Sequence, residues 1–265
     1  MMKKTLLVVL LAVCCLSVGA QVGEHRSDFS VGVNGGYLWS RVNFVPSVSQ
    51  AQRGAFTGGL SFRYVCEKYF KSICSLYGEV NFAQLGWKED IRDLNDQRVV
   101  NTTTGQPEEF SYAINYVQVP LMARLAWGHE RSGVNFFFQA GPQMGFCLSE
   151  RSKTNFDVRK LDGGSPEPGN TLPAPNMDDR VNQVVAQDTM KVEHQFDYGI
   201  AAGIGVEFSH RKAGHFILEG RYYYGLGNIY GDSKLDYFGR SNFSNIVIKL
   251  TYLFDLARTK NDKIR

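Results

Sequence analysis

The sequence has 265 residues, of which 43% are hydrophobic and 21% are charged, and its mean hydropathy is −0.23. Beyond residue 20 no stretch is apolar over the ~18–20 positions that a membrane-spanning helix needs, which excludes a helical membrane protein. The 27 glycines, 13 tyrosines and 18 phenylalanines favour strands over a helix bundle, because aromatic side chains suit a pleated surface. The net charge of +3 is too small to indicate a nucleic-acid partner.

The first 20 residues have the three parts of a secretory signal peptide. Two lysines lie near the start, an apolar run follows at 5–16, and Val18-Gly19-Ala20 supplies the residues before the cleavage point. We therefore predict a signal peptide at 1–20 and one barrel domain at 21–265. A buried N-terminal helix or anchor is the alternative, but the apolar run is too short to span a membrane.

The five cysteines fall into two groups. Cys14 and Cys15 lie within the predicted signal peptide, and neither follows a small residue, which argues against lipoprotein processing. In the rest of the chain, Cys66 and Cys74 flank a short connection and are the candidates for one disulfide, since an exported protein meets oxidising conditions. Two free thiols are the alternative. Together with Cys147, their spacing does not predict a metal site.

Strict alternation of apolar and small or polar residues dominates the chain after residue 27, as expected for strands with two different faces. In the run 196–208, for example, apolar side chains occupy every even position, while the odd positions are mostly glycine and alanine and include Glu207. Most of these runs reach the ~9–11 residues that cross a bilayer at a tilt. They predict eight strands, at 29–39, 56–64, 74–87, 111–127, 134–148, 196–208, 216–226 and 243–254.

The polar face is rich in small residues with isolated charges, which suits the narrow lumen of a small barrel. The connections alternate strictly between long (40–53, 88–110, 149–193, 228–242) and short (65–71, 128–133, 209–214), as in outer-membrane barrels with long extracellular loops and short periplasmic turns. We therefore predict an all-β fold, an eight-stranded antiparallel up-and-down transmembrane β-barrel in the cell outer membrane. Aromatic residues of the apolar face form its interfacial girdle: Phe29, Tyr64, Trp127, Phe208, Phe216, Tyr252 and Phe254.

Two of the strands depart from the alternation. Leu85 and Trp87 are out of phase with the apolar face of their strand, and so are Tyr112, Ile114 and Tyr116 in the next strand. We interpret both departures as β-bulges near the outer rim.

Several short motifs, in their order along residues 28–254, resemble the PorT-like outer-membrane β-barrel family of Bacteroidetes. The resemblance implies an outer-membrane barrel and, through the member that gives the family its name, a relation to type IX secretion. The resemblance implies no catalytic residues. The motifs are Asn34-Gly35-Gly36, Tyr116-Val117-Gln118-Val119-Pro120-Leu121, Ala140-Gly141-Pro142, Asp197-Tyr198-Gly199, Gly203-Ile204-Gly205, Glu219-Gly220-Arg221-Tyr222, Gly225-Leu226-Gly227-Asn228-Ile229 and Lys249-Leu250-Thr251-Tyr252-Leu253-Phe254.

No motif for catalysis, metal binding or a cofactor is recognisable: the chain has neither a Gly-x-Ser-x-Gly elbow nor a His-Glu-x-x-His pair. We therefore predict a non-enzymatic barrel, structural, binding or secretion-accessory, without metal or cofactor. Its expected partners are outer-membrane lipids and lipopolysaccharide, and secretion-system or surface partners that meet the long loops. The alternative is a lipid-modifying enzyme at the outer rim, where only His194 and Asp197 combine a histidine with an acid. A third hypothesis is a porin, which is disfavoured because side chains fill the interior of an eight-stranded barrel.

The third long loop, 149–193, contains Gly163-Gly164 and several prolines, a composition that does not form a packed core. Within it, Asp188-Thr189-Met190 resembles the Asp-Ser/Thr-apolar acceptor for O-glycosylation in Bacteroidetes. Thr189 is therefore a candidate modification site.

The alternation turns several charged residues toward the lumen, in its middle and periplasmic half. Unpaired charges would be costly in so narrow a space, so we predict that they pair as an ionic plug; charges solvated by lumen water are the alternative. The seven residues are Arg63, Glu79, Arg124, Glu207, Glu219, Arg221 and Lys249.

Overall fold

Nine antiparallel strands, eight of them long, form one closed ring in the computed structural model, which describes residues 24–93, 95–101, 104–129, 132–156, 190–231 and 238–258. Each long strand pairs with its neighbours in the chain, and the first pairs with the last, so the ring has no free edge. The two-residue strand β2 pairs with β4 at the rim. The strands are β1 Glu24–Val45, β2 Gln50–Ala51, β3 Arg53–Tyr69, β4 Ser72–Asp90, β5 Glu109–Gly128, β6 Gly133–Thr154, β7 Phe196–His210, β8 Gly214–Gly225 and β9 Arg240–Ala257.

The connections differ in length between the two ends of the barrel. At one end, which we call the short-turn end, β3 and β4 are joined by residues 70–71, β5 and β6 by 129–132, and β7 and β8 by 211–213. The opposite, long-loop end carries the connections 91–108, 155–195 and 226–239. The prediction of an eight-stranded up-and-down barrel is confirmed. No helix among the described residues is long and apolar enough to cross a membrane.

Several strands extend beyond their predicted limits at the long-loop end: β1 to Val45, β4 to Asp90 and β6 to Thr154. Toward this end of the barrel the outward face becomes mostly polar. On β5, for example, outward Val117, Val119 and Leu121 are followed toward the long-loop end by Asn115, Ala113 and Ser111. The apolar belt of the barrel therefore ends below this level, and the extensions stand above it.

The two predicted β-bulges in β4 and β5 are wrong. Leu85, Trp87, Tyr112, Ile114 and Tyr116 are at most 3% exposed, and they continue the inward phase of their strands without interruption. Strands β4 and β5 remain in one register past all of these residues. The physical reason is an exchange of polarity between the faces: above the apolar belt the outer face meets water and the inner face forms an apolar core. The bulge near this rim lies in β6 instead, where Leu148 has no partner between Cys147 and Ser149.

Candidate functional site

The lumen of the barrel is the candidate site, because the charged and aromatic residues singled out by the sequence point into it. Inward glycines of β7 make room for large side chains from other strands. A Cβ atom added to Gly205 would lie 2.5 Å from the Phe137 ring, and one added to Gly199 would lie 2.8 Å from the Tyr223 ring. The small residues of one strand thus match the large ones of its neighbours.

Four buried ionic residues meet at mid-barrel: Glu79, Glu219, Arg221 and Lys249, which we call the middle ion group. Arg221 donates from Nη1 and Nη2 to the two carboxylate oxygens of Glu79, at 2.8 and 3.1 Å, and from Nε to Glu219 at 2.5 Å. Lys249 Nζ lies 2.5 Å from both oxygens of Glu79. Two carboxylates face two cations, so the group is electrically balanced.

A layer of amide and hydroxyl side chains supports the middle ion group. Asn81 donates to Glu79 at 2.7 Å, and its own carbonyl oxygen accepts from Asn34 at 2.8 Å. Asn34 also donates to Ser61. These residues come from β1, β3 and β4, whereas the cations come from β8 and β9, so the polar network joins opposite walls of the barrel.

Toward the short-turn end, a second cluster forms around Glu207; we call it the mouth ion group, with Arg63, Arg124, His215 and Asp255. Arg63 and Arg124 each donate to one Glu207 oxygen at 2.6 Å. His215 Nδ1 lies 2.8 Å from Glu207, and its Nε2 lies 3.1 Å from Asp255. The Arg124 guanidinium also lies over the Phe137 ring, 3.6 Å from its centroid, in a cation–π contact.

The same cluster contains a hydroxyl, an imidazole and a carboxylate in a row, an arrangement that resembles that of a nucleophile, a base and an orienting acid. Ser209 Oγ lies 2.8 Å from His215 Nδ1, whose ring contacts Asp255 on its other side. The same Nδ1 also contacts Glu207, and Ser209 itself bonds Glu207 at 3.0 Å. Because a carboxylate lies at each ring nitrogen, the imidazole donates from both nitrogens, as only its protonated form can. In that form the ring cannot accept a proton from serine. The arrangement therefore belongs to the ion network.

The long-loop end of the lumen is closed by aromatic residues. The described residues of the β8–β9 connection include Tyr230 and Phe238, which are buried at this end and with Ile229 form what we call the aromatic plug. Phe238 packs against Phe44 of β1 in a tilted arrangement with ring centroids 4.4 Å apart, and Tyr230 contacts both Phe44 and Trp87. All three plug residues are at most 2% exposed. Burial, reinforced by nearby Tyr112 and Glu150, raises the pKa of the Tyr230 hydroxyl, so the phenol stays neutral.

Backbone hydrogen bonds fix the plug in place. Ile229 N donates to Ser241 O at 2.8 Å, and Ile229 O accepts from Glu193 N and His194 N at 3.2 Å. Glu150 accepts from Tyr112 Oη at 2.6 Å and from Val192 N at 2.8 Å. The plug is thus held by β9 and by the last residues of the third long loop.

The described residues enclose two small cavities in the lumen. A cavity of about 10 Å³ lies beside the middle ion group and Asn245, which is space for about one water molecule. A second cavity of about 40 Å³ lies within the mouth ion group.

All seven residues of the predicted ionic cluster point into the lumen, in the two groups described above. Sequence reasoning missed His215 and Asp255 of the mouth ion group and also Ser30, which donates to Asp255. His215 and Ser30 have the inward phase of β8 and β1, and this phase was the available signal. This signal is weak, because His215 directly follows a short turn and serine carries no charge.

The other candidate residues that the structure describes, Asp197 and His194, do not lie together in a site. Asp197 points inward and accepts from Tyr223 Oη at 2.6 Å, whereas His194 is exposed, outside the strand. Thr189 and residues 1–20 lie outside the described residues. No group of histidine, cysteine or acidic side chains suited to hold a metal ion occurs in the described part of the chain.

Cys66 and Cys74 are free thiols in the structure, the second of the two alternatives. Cys66 is the extra residue of a bulge between Val65 and Glu67, so that Glu67 stands opposite Cys74. The bulge thus removes the direct cross-strand pairing that the short connection suggested. Cys147 is also free.

Comparison with known proteins agrees with this architecture. Residues 19–231, about four fifths of the chain, match the model of a family described as outer membrane protein beta-barrel domain. The chain belongs to this family. Its location is accordingly the outer membrane, with the short-turn end periplasmic and the long-loop end extracellular. No curated protein matches the chain in sequence.

Solved structures similar to this chain include small outer-membrane barrels. OprG from Pseudomonas aeruginosa is 14% identical with a TM-score of 0.43, and the match covers 88% of this chain and 98% of OprG. Ail, the attachment invasion locus protein of Yersinia pestis, is 14% identical with a TM-score of 0.33, covering 87% of this chain and 99% of Ail. Neisserial surface protein A is 12% identical with a TM-score of 0.38, covering 85% and 97%. Similarity at this level transfers no function to this chain.

Proposed function

We propose that this protein is a non-enzymatic outer-membrane barrel that conducts no ions and acts through its extracellular loops, as a structural, binding or secretion-accessory protein. The observation that carries the proposal is the occupation of the lumen at three levels, by the mouth ion group, the middle ion group and the aromatic plug. A channel needs a continuous wet path, whereas the two small cavities at the ion groups have space for about one and for a few water molecules. The barrel wall then serves to hold the loops at the cell surface.

Two further features support a role at the extracellular end. The strands β4, β5 and β6 continue beyond the apolar belt, and the plug gives this extension an apolar core of its own. A rigid extension above the membrane is a suitable platform for a partner. The resemblance of the sequence motifs to those of PorT-like proteins suggests a partner in type IX secretion, and lipopolysaccharide is a second candidate at the same rim.

The first test is electrical. The purified protein, inserted into planar bilayers, is expected to give no current above that of the empty bilayer, while a porin added to the same membrane shows that the assay detects channels. Steady single-channel currents from the wild-type protein would contradict the proposal.

The second test identifies the partner. Affinity purification from outer membranes, followed by mass spectrometry, is expected to recover secretion-system components with the wild-type protein. A matched variant that shortens the loop 157–189 keeps the described barrel and should lose them. Recovery of the same set with both proteins would place the contact elsewhere than on this loop.

The alternative, a lipid-modifying enzyme at the outer rim, needs His194 and Asp197 to act together. Asp197 is inward and bonded to Tyr223, whereas His194 is exposed. Under our proposal, a strain that lacks the protein keeps lipopolysaccharide of unchanged mass. A defined mass change, restored by the wild-type gene and not by a His194→Ala variant, would favour the enzyme.

A further inference from the structure

An apolar groove runs along the lipid-facing surface of the barrel, across β7, β8, β9 and β1. Its volume is about 580 Å³, within the ~300–1,000 Å³ typical of small-molecule sites. Gly35 forms part of its floor, where a Cβ atom would meet nothing within 4 Å. Val33 and Leu250 flank this glycine, and Phe208, Phe216 and Tyr252 line the end of the groove that is nearer the periplasm.

A cationic turn lies directly below the aromatic end of the groove. Phe208 and Phe216 face each other across the β7–β8 ladder, and the turn that joins these strands carries Arg211 and Lys212. Both cations are exposed, and neither forms an ion pair with any described residue.

The position of this turn is fixed by contacts with β9 and the residue beyond it. Tyr252, a groove residue, donates from its hydroxyl to Ala213 O at 2.8 Å. Arg258 donates to Arg211 O at 3.2 and 3.3 Å. The bonds to the turn use its backbone carbonyls, so the side chains of Arg211 and Lys212 remain available to a ligand.

We propose that the groove and the turn together bind one anionic phospholipid of the periplasmic leaflet. An acyl chain lies in the groove over Gly35, and the phosphate lies at the membrane surface beside Arg211 and Lys212. Basic residues at this height attract anionic headgroups, while the apolar groove accepts a hydrocarbon chain from the surrounding lipid. The periplasmic position of the cations favours a phospholipid over a glycolipid of the outer leaflet, whose phosphates would lie at the opposite end of the barrel.

The test uses native mass spectrometry of the full protein, released from detergent that contains equal amounts of phosphatidylglycerol and phosphatidylethanolamine. The headgroup variant is Arg211→Gln/Lys212→Gln, and its control is Arg151→Gln/Lys153→Gln, which removes two exposed cations at the extracellular end. The groove variant is Gly35→Leu. Its control is Gly220→Leu, another glycine whose added Cβ meets nothing within 4 Å and which does not line the groove. A heat-modifiable gel band shows that each variant is folded.

We expect the wild type to retain one phosphatidylglycerol in preference to phosphatidylethanolamine. Removing both cations should reduce this preference about 25-fold, at about 5-fold for each, whereas Arg151→Gln/Lys153→Gln leaves it unchanged. Gly35→Leu should lose bound lipid of both kinds, and Gly220→Leu should retain it. Equal retention of both lipids by the wild type would overturn the proposal, as would a preference that survives in the headgroup variant. Retention of lipopolysaccharide or of a second copy of the chain, abolished by Gly35→Leu, would assign the groove to that occupant instead.

Discussion

Arg221→Ala tests whether the middle ion group is dry. The wild-type group contains two carboxylates and two cations, and Arg221 makes three charge-assisted hydrogen bonds in it. Its removal leaves Glu79 paired with Lys249, but it deprives Glu219 of its only ion-pair partner among the described residues. Because Glu219 is 1% exposed, the variant carries one uncompensated buried charge.

The size of the effect follows from this imbalance. Hydrogen bonds to charged groups contribute ~1.5–3 kcal/mol each, so three independent bonds would give at least about 4.5 kcal/mol. The three bonds come from one side chain, so their contributions do not simply add. Water can also enter the space that the side chain vacates, which reduces the loss. Removal of one partner of a buried ion pair costs ~3–5 kcal/mol, and we expect a loss of about this size in the free energy of unfolding.

A double variant separates charge imbalance from lost packing. Arg221→Met/Glu219→Gln removes one cation and one anion, so the remaining Glu79–Lys249 pair stays balanced. Replacement of buried ions by neutral groups of similar volume is often close to neutral, so this variant should lie within about 1 kcal/mol of the parent.

Stability is measured by urea unfolding in lipid vesicles, followed by tryptophan fluorescence and by the heat-modifiable gel band. The order expected is parent, then the double variant close to it, then Arg221→Ala well below both. If Arg221→Ala is as stable as the parent, water solvates Glu219 and the lumen is a wet passage. If the double variant is as unstable as Arg221→Ala, packing rather than charge determines the loss, and the reasoning is wrong.

Four further predictions concern the plug, the thiols and the third loop. Phe238→Ala should lower the free energy of unfolding by ~3–5 kcal/mol in the same urea titration, because the ring is fully buried. Alkylation of the unfolded protein without reductant should label Cys66, Cys74 and Cys147; a Cys66–Cys74 peptide would show a disulfide instead. Protease added to intact cells should cut within 149–193 and leave the short turns uncut. Mass spectra of the native protein should show a glycan on Thr189, and an unmodified peptide would contradict that assignment.

Much of the fold could be predicted because a membrane barrel imposes simple rules on each strand. Lipid on one side and a narrow lumen on the other force period-two alternation, so the phase of each strand identified the inward charges before any pairing was known. This phase predicted that Arg63, Arg124 and Glu207, on three different strands, point inward, and all three are buried in the structure. It could not say which charge meets which, because Glu79 and Lys249 are 170 residues apart and meet only across the closed ring.

The alternation misled at the rim for a physical reason. Inside the apolar belt, the polar face of a strand points to the lumen; above the belt the outer face meets water and the lumen is apolar. Tyr112, Ile114 and Tyr116 keep the inward phase while the polarity of the faces reverses, which in a sequence looks the same as a bulge. Only the register of β4, β5 and β6 distinguishes the two cases.

The sequence by itself determined the number of long strands, their direction, the short-turn end and the inward face of each strand within the apolar belt, because these depend on local alternation and on turn length. The tertiary structure alone decided how the lumen is closed. The aromatic plug comes from the β8–β9 connection, and its Tyr230 and Phe238 become a core only where Phe44 of β1 and Trp87 of β4 meet them. Likewise, the groove above Arg211 and Lys212 exists only because closure of the ring brings β1 next to β9. Contacts between such distant parts of the chain depend on ring closure, which no local pattern encodes.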